Sequence, residues 1–500
     1  MISQLPSPPW WQSRWFFVGC LMLLAAPLIW PTVPPLIDLP GHIGRYRVAD
    51  ALRGSTELQA HWRFDWAAIG NLGVDLLVFP LARLVGVEPA TKLVVIAIPL
   101  LWGWGVVRLS RVVHGRLTPA APVAFALVYS YSFQAGFVNF VLASALVLHA
   151  LAWWILLGRE GRLWLRTAAF VPVSFVLWLC HSFGWGMFGL FAFAAEAVRL
   201  RRGNVAWTKA LGNAVPPALF LALPALMVRG AGAGLDPEWS WQAKLVWASA
   251  LFRDRWQAFD IASALFVFGF ILVLLRQSSG QKLNELGAAA LIGFLAFLAL
   301  PRLMLGGSYV DMRMLAPAVA LAAIAVPARG AVVAALATGF FVVRMSATTA
   351  SLFLYGEAQS EAAAAIPHIP RGAAVLSLVA EPCGWESTRL THIAGLGIAR
   401  ADFFTNEQWG IAGQQLLRSR HTEAGRFAGD PSQIVFPAGC AYRPTELEEA
   451  LASFPRSVFT TVWTVGIPAN PRLHPDLDLV WSNQVSAVYR VRLKPSPLLP

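Results

Sequence analysis

Long apolar stretches alternate with short polar interruptions along this chain, and their lengths set the first reading. A helix that crosses a bilayer needs about 20 mostly apolar residues. Runs that reach or approach this length lie at 15–35, 89–107, 119–135, 137–157, 165–181 and 182–198. Five more lie at 208–228, 257–275, 285–303, 312–328 and 330–348, so the pattern predicts eleven spans. Polar groups inside the runs are few, as expected where each unsatisfied dipole in lipid is costly. The stretch NLGVDLLVFPLARLVG at 71–86 is too short to span and carries Asp75, Pro80 and Arg83. It reads as a helix that lies on the membrane surface or dips into it.

Beyond residue 348 the pattern changes. Charge rises, and Gly/Pro turns separate short β-type runs: GAAVLSLV (372–379), VFTTVWTVGI (458–467) and VSAVYRVRL (485–493). A helix is expected at NEQWGIAGQQLLRSR, 406–420. The expected fold class is therefore a polytopic α-helical membrane protein with about eleven spans and a small C-terminal α/β soluble domain. Its division is a membrane body over 1–348, with a long first outer loop of surface helices at 36–88, and an extracytoplasmic domain over 349–500. Cys383 and Cys440 fall in that domain and either pair in an oxidising compartment or stay as separate thiols. Cys20 and Cys180 fall in spans.

Composition supports the membrane reading. Apolar residues make up 57% of the 500 positions and charged residues 13%, against about 25% charged in ordinary soluble domains. The 22 Trp suit a chain with two membrane–water interfaces. A formal charge of +12 does not point to nucleic acid, because the arginines sit between apolar runs, where they act as topology signals and lipid contacts. Arg14 precedes WFFVGCLMLLAAPLIW, which is like the start of a signal peptide, but no small-residue cleavage site follows. The segment is expected to be retained as the first helix. Short turns rich in Arg, at 108–116, 159–166, 199–209, 276–282 and 329, fall on one side; those near 136 and 181 carry no Lys or Arg. This bias places the N-terminus in the cytoplasm and the C-terminal domain outside it.

The outer side then gathers the candidate chemistry. PPLIDLPGHIGRYR, 34–47, brings Asp38, His42, Arg45 and Arg47 to the exit of the first helix. Asp65 and Asp75 follow in the same loop, His181 sits between two spans, and Arg302, Asp311 and Arg313 flank a Gly-Gly turn. WQAKLVWASALFRDRW, with Lys244, Arg253 and Arg255, reads as an amphipathic surface helix that meets lipid head groups. A long loop in a compact bundle is more often functional than not.

An apolar first helix, a Pro-bounded acidic position at its outer end and surface helices leading to the next span resemble the GT-C class of membrane glycosyltransferases. IDLPGHIGRYRVADALRG (37–54) and FDWAAIGNLGVDLLVFPLARLVG (64–86) carry the resemblance. FVNFVLASALVLHALAWWILL (137–157), CHSFGWGMFGL (180–190) and PRLMLGGSYVDMRMLAP (301–317) look like bacterial members, as does the tail opening AIPHIPRGAAVLSL. The resemblance implies an inverting hexosyl- or pentosyl-transferase at the outer face of the inner membrane. Its donor would be a polyprenyl-phosphate-linked sugar and its acceptor a glycolipid, glycan or protein. It also implies that the acidic residue of the first outer loop, here Asp38, is base or organiser.

Elementary chemistry makes the same demand. A carboxylate can take the proton of an attacking hydroxyl, and cations stabilise a departing lipid phosphate. Asp38 has a competing role as the N-cap of the helix that follows. His42, Arg45, Asp65, Asp75, His181, Arg302, Asp311 and Arg313 are candidates for substrate binding. His181 packing on Trp185 is the plain alternative there, and Arg313 should pair with Asp311 or with phosphate. A divalent metal between loop acids fits some GT-C members, but no DxD-like cluster occurs, and a metal-independent reaction is expected. Two other readings stay open: a transporter or flippase of a lipid-linked glycan, and a non-catalytic scaffold. A transporter would want ionisable groups in mid-span, which the sequence scarcely shows.

Overall fold

The computed structural model describes residues 9–227, 237–278, 282–304, 307–411, 414–436 and 446–492. Among these, six helices are long and apolar enough to cross a membrane: Val87–His114, Val138–Arg159, Leu163–Cys180, Ser182–Arg201, Gln257–Gln277 and Ala331–Ala363. Shorter apolar helices are Arg14–Ile29, Glu285–Ala299 and Met312–Ala325. A small sheet follows in the C-terminal region. The protein is thus a polytopic helical membrane protein with a soluble C-terminal α/β part.

Two expected spans are not continuous helices. The 119–135 run breaks into Ala121–Ala126, a 3-10 turn Leu127–Tyr129 and Tyr131–Gln134. Nearly all of it is buried in protein, where neighbours satisfy a broken backbone that lipid would not tolerate. The 208–228 run forms Trp207–Leu221, with Pro216 and Pro217 inside, and then a 3-10 segment Leu223–Met227. The last helix overshoots its expected end at 348 and runs to Ala363.

The chain forms two compact units. The first takes the described residues of 1–29, 68–74 and 95–350, the second those of 30–67, 75–94 and 351–500. In the first unit, small residues let helices approach closely, as in other membrane bundles. A Cβ on Gly184 would come within 2.5 Å of the Ala143 Cβ, and one on Gly293 within 3.0 Å of Ala318 and Phe191. Two arginine–glutamate clusters tie helix ends together. Glu285 accepts from Arg159 and Arg202, and Glu196 from Arg166 and Arg199. These are the arginines of the short turns between apolar runs, and they also do structural work.

Buried charge is more common than the sequence suggests. Arg344, 1% exposed, bonds Asp260 at 2.6 Å and the Phe252 carbonyl at 3.0 Å. That carboxylate offsets the cost of burying the guanidinium.

In the second unit, strand Ala374–Ala380 is paired in parallel by Phe404–Thr405, Ile434–Val435 and Thr461–Val465. Ser486–Val491 pairs Thr461–Val465 antiparallel, and Leu477–Ser482 closes the edge. The strand runs at 372–379, 458–467 and 485–493 thus fall where sequence placed them. Among the described residues of 406–420 the expected helix does not form. Asn406 instead bridges to the backbone of Ser377, and Leu417–Ser419 pairs antiparallel with Trp62–Phe64 of the first loop. Cys383 is disulfide-bonded, while Cys440 lies outside the described residues. Cys20 and Cys180 are free and buried.

Candidate functional site

In the second unit, helix Leu39–Ala51 follows directly on Asp38. Asp38 takes the N-cap position, but its carboxylate does not bond the first-turn amides. The sequence explains part of this: Pro40 occupies the second helical position and has no N–H to be capped. The capping role weighed against chemistry is therefore not the one its side chain plays. The chain leading in is pinned by Arg389, which is buried, donates to the Pro35 carbonyl at 2.9 Å and lies over Tyr355.

Helix Leu39–Ala51 packs on the short helix Gly395–Ala401 through glycines. A Cβ on Gly395 would meet the Pro40 carbonyl oxygen at 2.3 Å, and one on Gly44 the Gly395 carbonyl at 3.0 Å. This backbone-to-backbone approach brings the turn before Gly395 to Asp38. There His392 Nε2 lies 3.7 Å from Asp38 Oδ1 and 3.8 Å from Asp430 Oδ1. Its Nδ1 is 3.2 Å from the Glu407 carbonyl, which can only accept, so the ring proton of the neutral form is on Nδ1. The Nε2 lone pair then faces the two carboxylates. Burial holds His392 below the ordinary histidine range, against the pull of Asp430. The carboxylates are about one-fifth exposed, at 21% and 23%.

A layer behind fixes these groups. Trp409 lies against both imidazoles, with ring centres 4.5 Å from His392 and 5.0 Å from His42. Gln408 donates to the Gly41 carbonyl, and Gln433 donates to Asp430 at 2.8 Å. Glu407 is fully buried, and Oε2 accepts from the Ala394 amide at 3.0 Å. Burial, seconded by Asp430, holds its carboxyl well above the usual carboxylate range. It braces the turn before Gly395 from behind.

The other first-loop candidates separate from Asp38 in role. Arg45 and Asp75 form a buried pair at 2.9 Å, with Gln415 accepting a further bond from Arg45 at 2.6 Å. They hold helix Leu39–Ala51 to helix Gly73–Val85. Asp65 sits in an exposed pair with Arg63 at 2.8 Å. Among the described residues no group of three or more His, Cys, Asp or Glu is placed to hold a metal ion.

The first unit carries the remaining candidates. Asp311 does not pair with Arg313; it takes Lys244 at 2.7 Å, and both are buried. That corrects Lys244 as a head-group ligand: helix Trp241–Ser249 turns it inward to a carboxylate. Arg302 lies over Tyr309 and 4.0 Å from Glu238. Arg313 lies over Phe137, donates to the Ser308 carbonyl at 3.2 Å and comes within 3.3 Å of His181 Nε2. His181 packs edge-on to Phe140. Its Nδ1 accepts from the Phe183 amide at 3.0 Å. A neutral imidazole has one lone pair, and the amide uses it, so Nε2 carries a proton. Two donors, Nε2–H and the Arg313 guanidinium, thus meet at one place.

His392, Asp430 and Trp409 were not legible as site residues. They lie in the tail, hundreds of positions from Asp38, and THIAGLG and NEQWG match no motif of catalysis.

No family model and no curated protein matches this chain. A crystal structure of ArnT from Cupriavidus metallidurans bound to undecaprenyl phosphate is similar over 95% of this chain and 97% of that one. The TM-score is 0.48 and the sequence identity 11%.

Proposed function

We propose that this protein is a membrane glycosyltransferase of the GT-C type, moving a hexose or pentose from a polyprenyl-phosphate carrier to a glycolipid, glycan or protein acceptor. The observation that carries the reading is Asp38: a partly exposed carboxylate at the head of a helix, not spent on capping it, beside a buried imidazole and a second carboxylate. The sequence resemblance gives this same residue the role of base or organiser. In the reaction Asp38 takes the proton of the acceptor hydroxyl as its oxygen attacks the anomeric carbon. The bond from that carbon to the phosphate oxygen breaks with inversion, and the electron pair leaves with the phosphate.

Within the first unit, the convergent donors of Arg313 and His181 suit an anion such as a phosphate. Arg45, Asp75 and Asp311 hold elements in place rather than touch substrate. The reaction takes place at the outer face of the inner membrane, with the N-terminus cytoplasmic and the C-terminal part periplasmic. No step is routed through a metal.

The test uses purified full-length protein in liposomes with labelled polyprenyl-phosphate sugars and a membrane extract as acceptor source. Wild type transfers label, Asp38→Asn loses about 10²-fold or more of the rate, and chelator leaves wild-type transfer unchanged. Absence of transfer by wild type to any fraction overturns the enzyme reading in favour of a transporter or scaffold.

A further inference from the structure

We infer that the C-terminal sheet carries a binding site for an anionic sugar, of about monosaccharide size and bearing a phosphate or a carboxylate. The site uses none of the groups assigned to transfer above, so it stands or falls on its own. Strand register places it. In strands Thr461–Val465 and Ser486–Val491, Thr461 lies opposite Arg490 and Trp463 opposite Val488. Opposite residues share a face, and alternation puts Ser486, Val488 and Arg490 together on it. The end of the last long helix covers part of that face, where the Ser486 hydroxyl donates to the Ala362 carbonyl at 3.2 Å. The turn Ile366–His368 follows, and the His368 ring stacks on Trp481 with 4.7 Å between centres. Along the same face a cavity of about 290 Å³ lies against Thr461, Val488 and Arg490, walled by His368 and Val480. In the edge strand Leu477–Ser482 the register shifts between Leu479 and Trp481. Val480 falls at that shift and is 45% exposed, as at a bulge, where a side chain is re-aimed.

Three side chains on this cavity make no side-chain hydrogen bond to any other described residue: Thr461, Arg490 and His368. Thr461 is the telling one, because it is only 5% exposed. A hydroxyl buried to that extent is normally paired. Here its partner comes from the cavity, as solvent or as a ligand that displaces it. Arg490 supplies the charge. Asp478 is its cross-strand neighbour and attracts it, but that carboxylate is already held by two bonds from Arg492, one of them at 2.8 Å. A guanidinium with donors to spare selects an oxyanion, which it meets with two parallel N–H groups. Thr461 and His368 each offer a polar atom to a hydroxyl, and Val480 and Val488 offer apolar contact to the C–H edge of a sugar ring. The volume sits near the roughly 300 Å³ at which small-molecule cavities begin, and this sets the size of the ligand.

The experiment measures binding to purified full-length protein by titration calorimetry, with glucose 6-phosphate, glucuronate, glucose and inorganic phosphate as probes. At least one of the two sugar anions should bind about 10-fold or more tighter than glucose, the ratio expected of a charge-assisted hydrogen bond. Which of them binds separates phosphate from carboxylate. Arg490→Gln should weaken that binding by about 10-fold or more and Thr461→Val by about 5-fold. Val480→Trp, which fills the cavity, should abolish it. Arg472→Gln removes an exposed arginine that does not line the cavity and should bind as wild type does. The inference is overturned if neither sugar anion binds wild type, if glucose binds as tightly as they do, or if inorganic phosphate does. An Arg490→Gln protein that melts as wild type and binds with wild-type affinity overturns it as well. Melting curves of every variant identify any that has merely failed to fold.

Discussion

Gly395→Ala tests the contact on which the site depends. The added methyl would sit 2.3 Å from the Pro40 carbonyl oxygen, 2.6 Å from the Pro40 carbonyl carbon and 2.8 Å from Glu407 Oε1. The first of these is about 1 Å short of ordinary van der Waals contact. Two of the three obstacles are backbone, so no side-chain rotation relieves them, and the helices must separate by roughly 1 Å. Overpacking of this kind costs about 1–3 kcal/mol, and backbone obstacles put the expected loss near the upper end, about 3 kcal/mol. That much leaves a large membrane protein folded. A 1 Å displacement of a reacting group can cost about 10²-fold in rate, and here it separates Asp38 from His392. The assay is transfer of labelled sugar at saturating donor, with a melting curve on the same sample. Gly410→Ala, whose added Cβ meets nothing within 4 Å, is the matched control. Wild-type turnover by Gly395→Ala would refute the claim that this close approach sets the geometry of the site.

Two further outcomes follow from charge. Arg45→Met leaves Asp75 buried without its partner and should cost about 3–5 kcal/mol, whereas replacing both by apolar residues should restore most of it; chemical denaturation of the three proteins reads this, and equal loss in single and double variants would contradict it. His61 sits in a chain with His421 and the Gly372 carbonyl, at 2.8 Å each. Burial, helped by His421, holds it below the ordinary histidine value despite the opposing pull of Gly372 and Glu57. The unfolded chain therefore binds a proton there at a pH where the folded chain does not, so stability falls as pH drops below about 6.5 towards the folded value. His61→Gln should flatten the melting temperature over about pH 6.5 to 5 relative to wild type, and identical slopes would refute the assignment.

The apolar pattern carried the helices because lipid and protein interior both demand apolar faces. It carried their ends less well, because burial against protein relaxes the rule that made the pattern readable. Hence 119–135 breaks at Ser130 and the last helix continues past 348 to Ala363. Asp38 stood out as a candidate because helix exit, Pro40 and a carboxylate lie within a few positions of one another. Its companions did not, since strand pairing and glycine contacts bring His392 and Asp430 to it from the far end of the chain. Lys244 misled for a related reason. Its amphipathic setting suits a head group, and only the fold supplies Asp311. The 406–420 segment has helical composition, but the Asn406 side chain is tied to the Ser377 backbone, and Leu417 pairs with Phe64 in a separate two-stranded sheet.

The glycine seam at Pro40 and Gly395 also bears on biogenesis. During translation Asp38 enters the membrane early, whereas the partner that lies against it is made only after the last long helix. The nascent chain therefore passes through insertion with Asp38 lacking both His392 and Asp430, and acquires them only when the C-terminal region has folded. Under the function proposed above, such an order would keep a half-made protein from acting on carrier lipid while its helices are still being inserted.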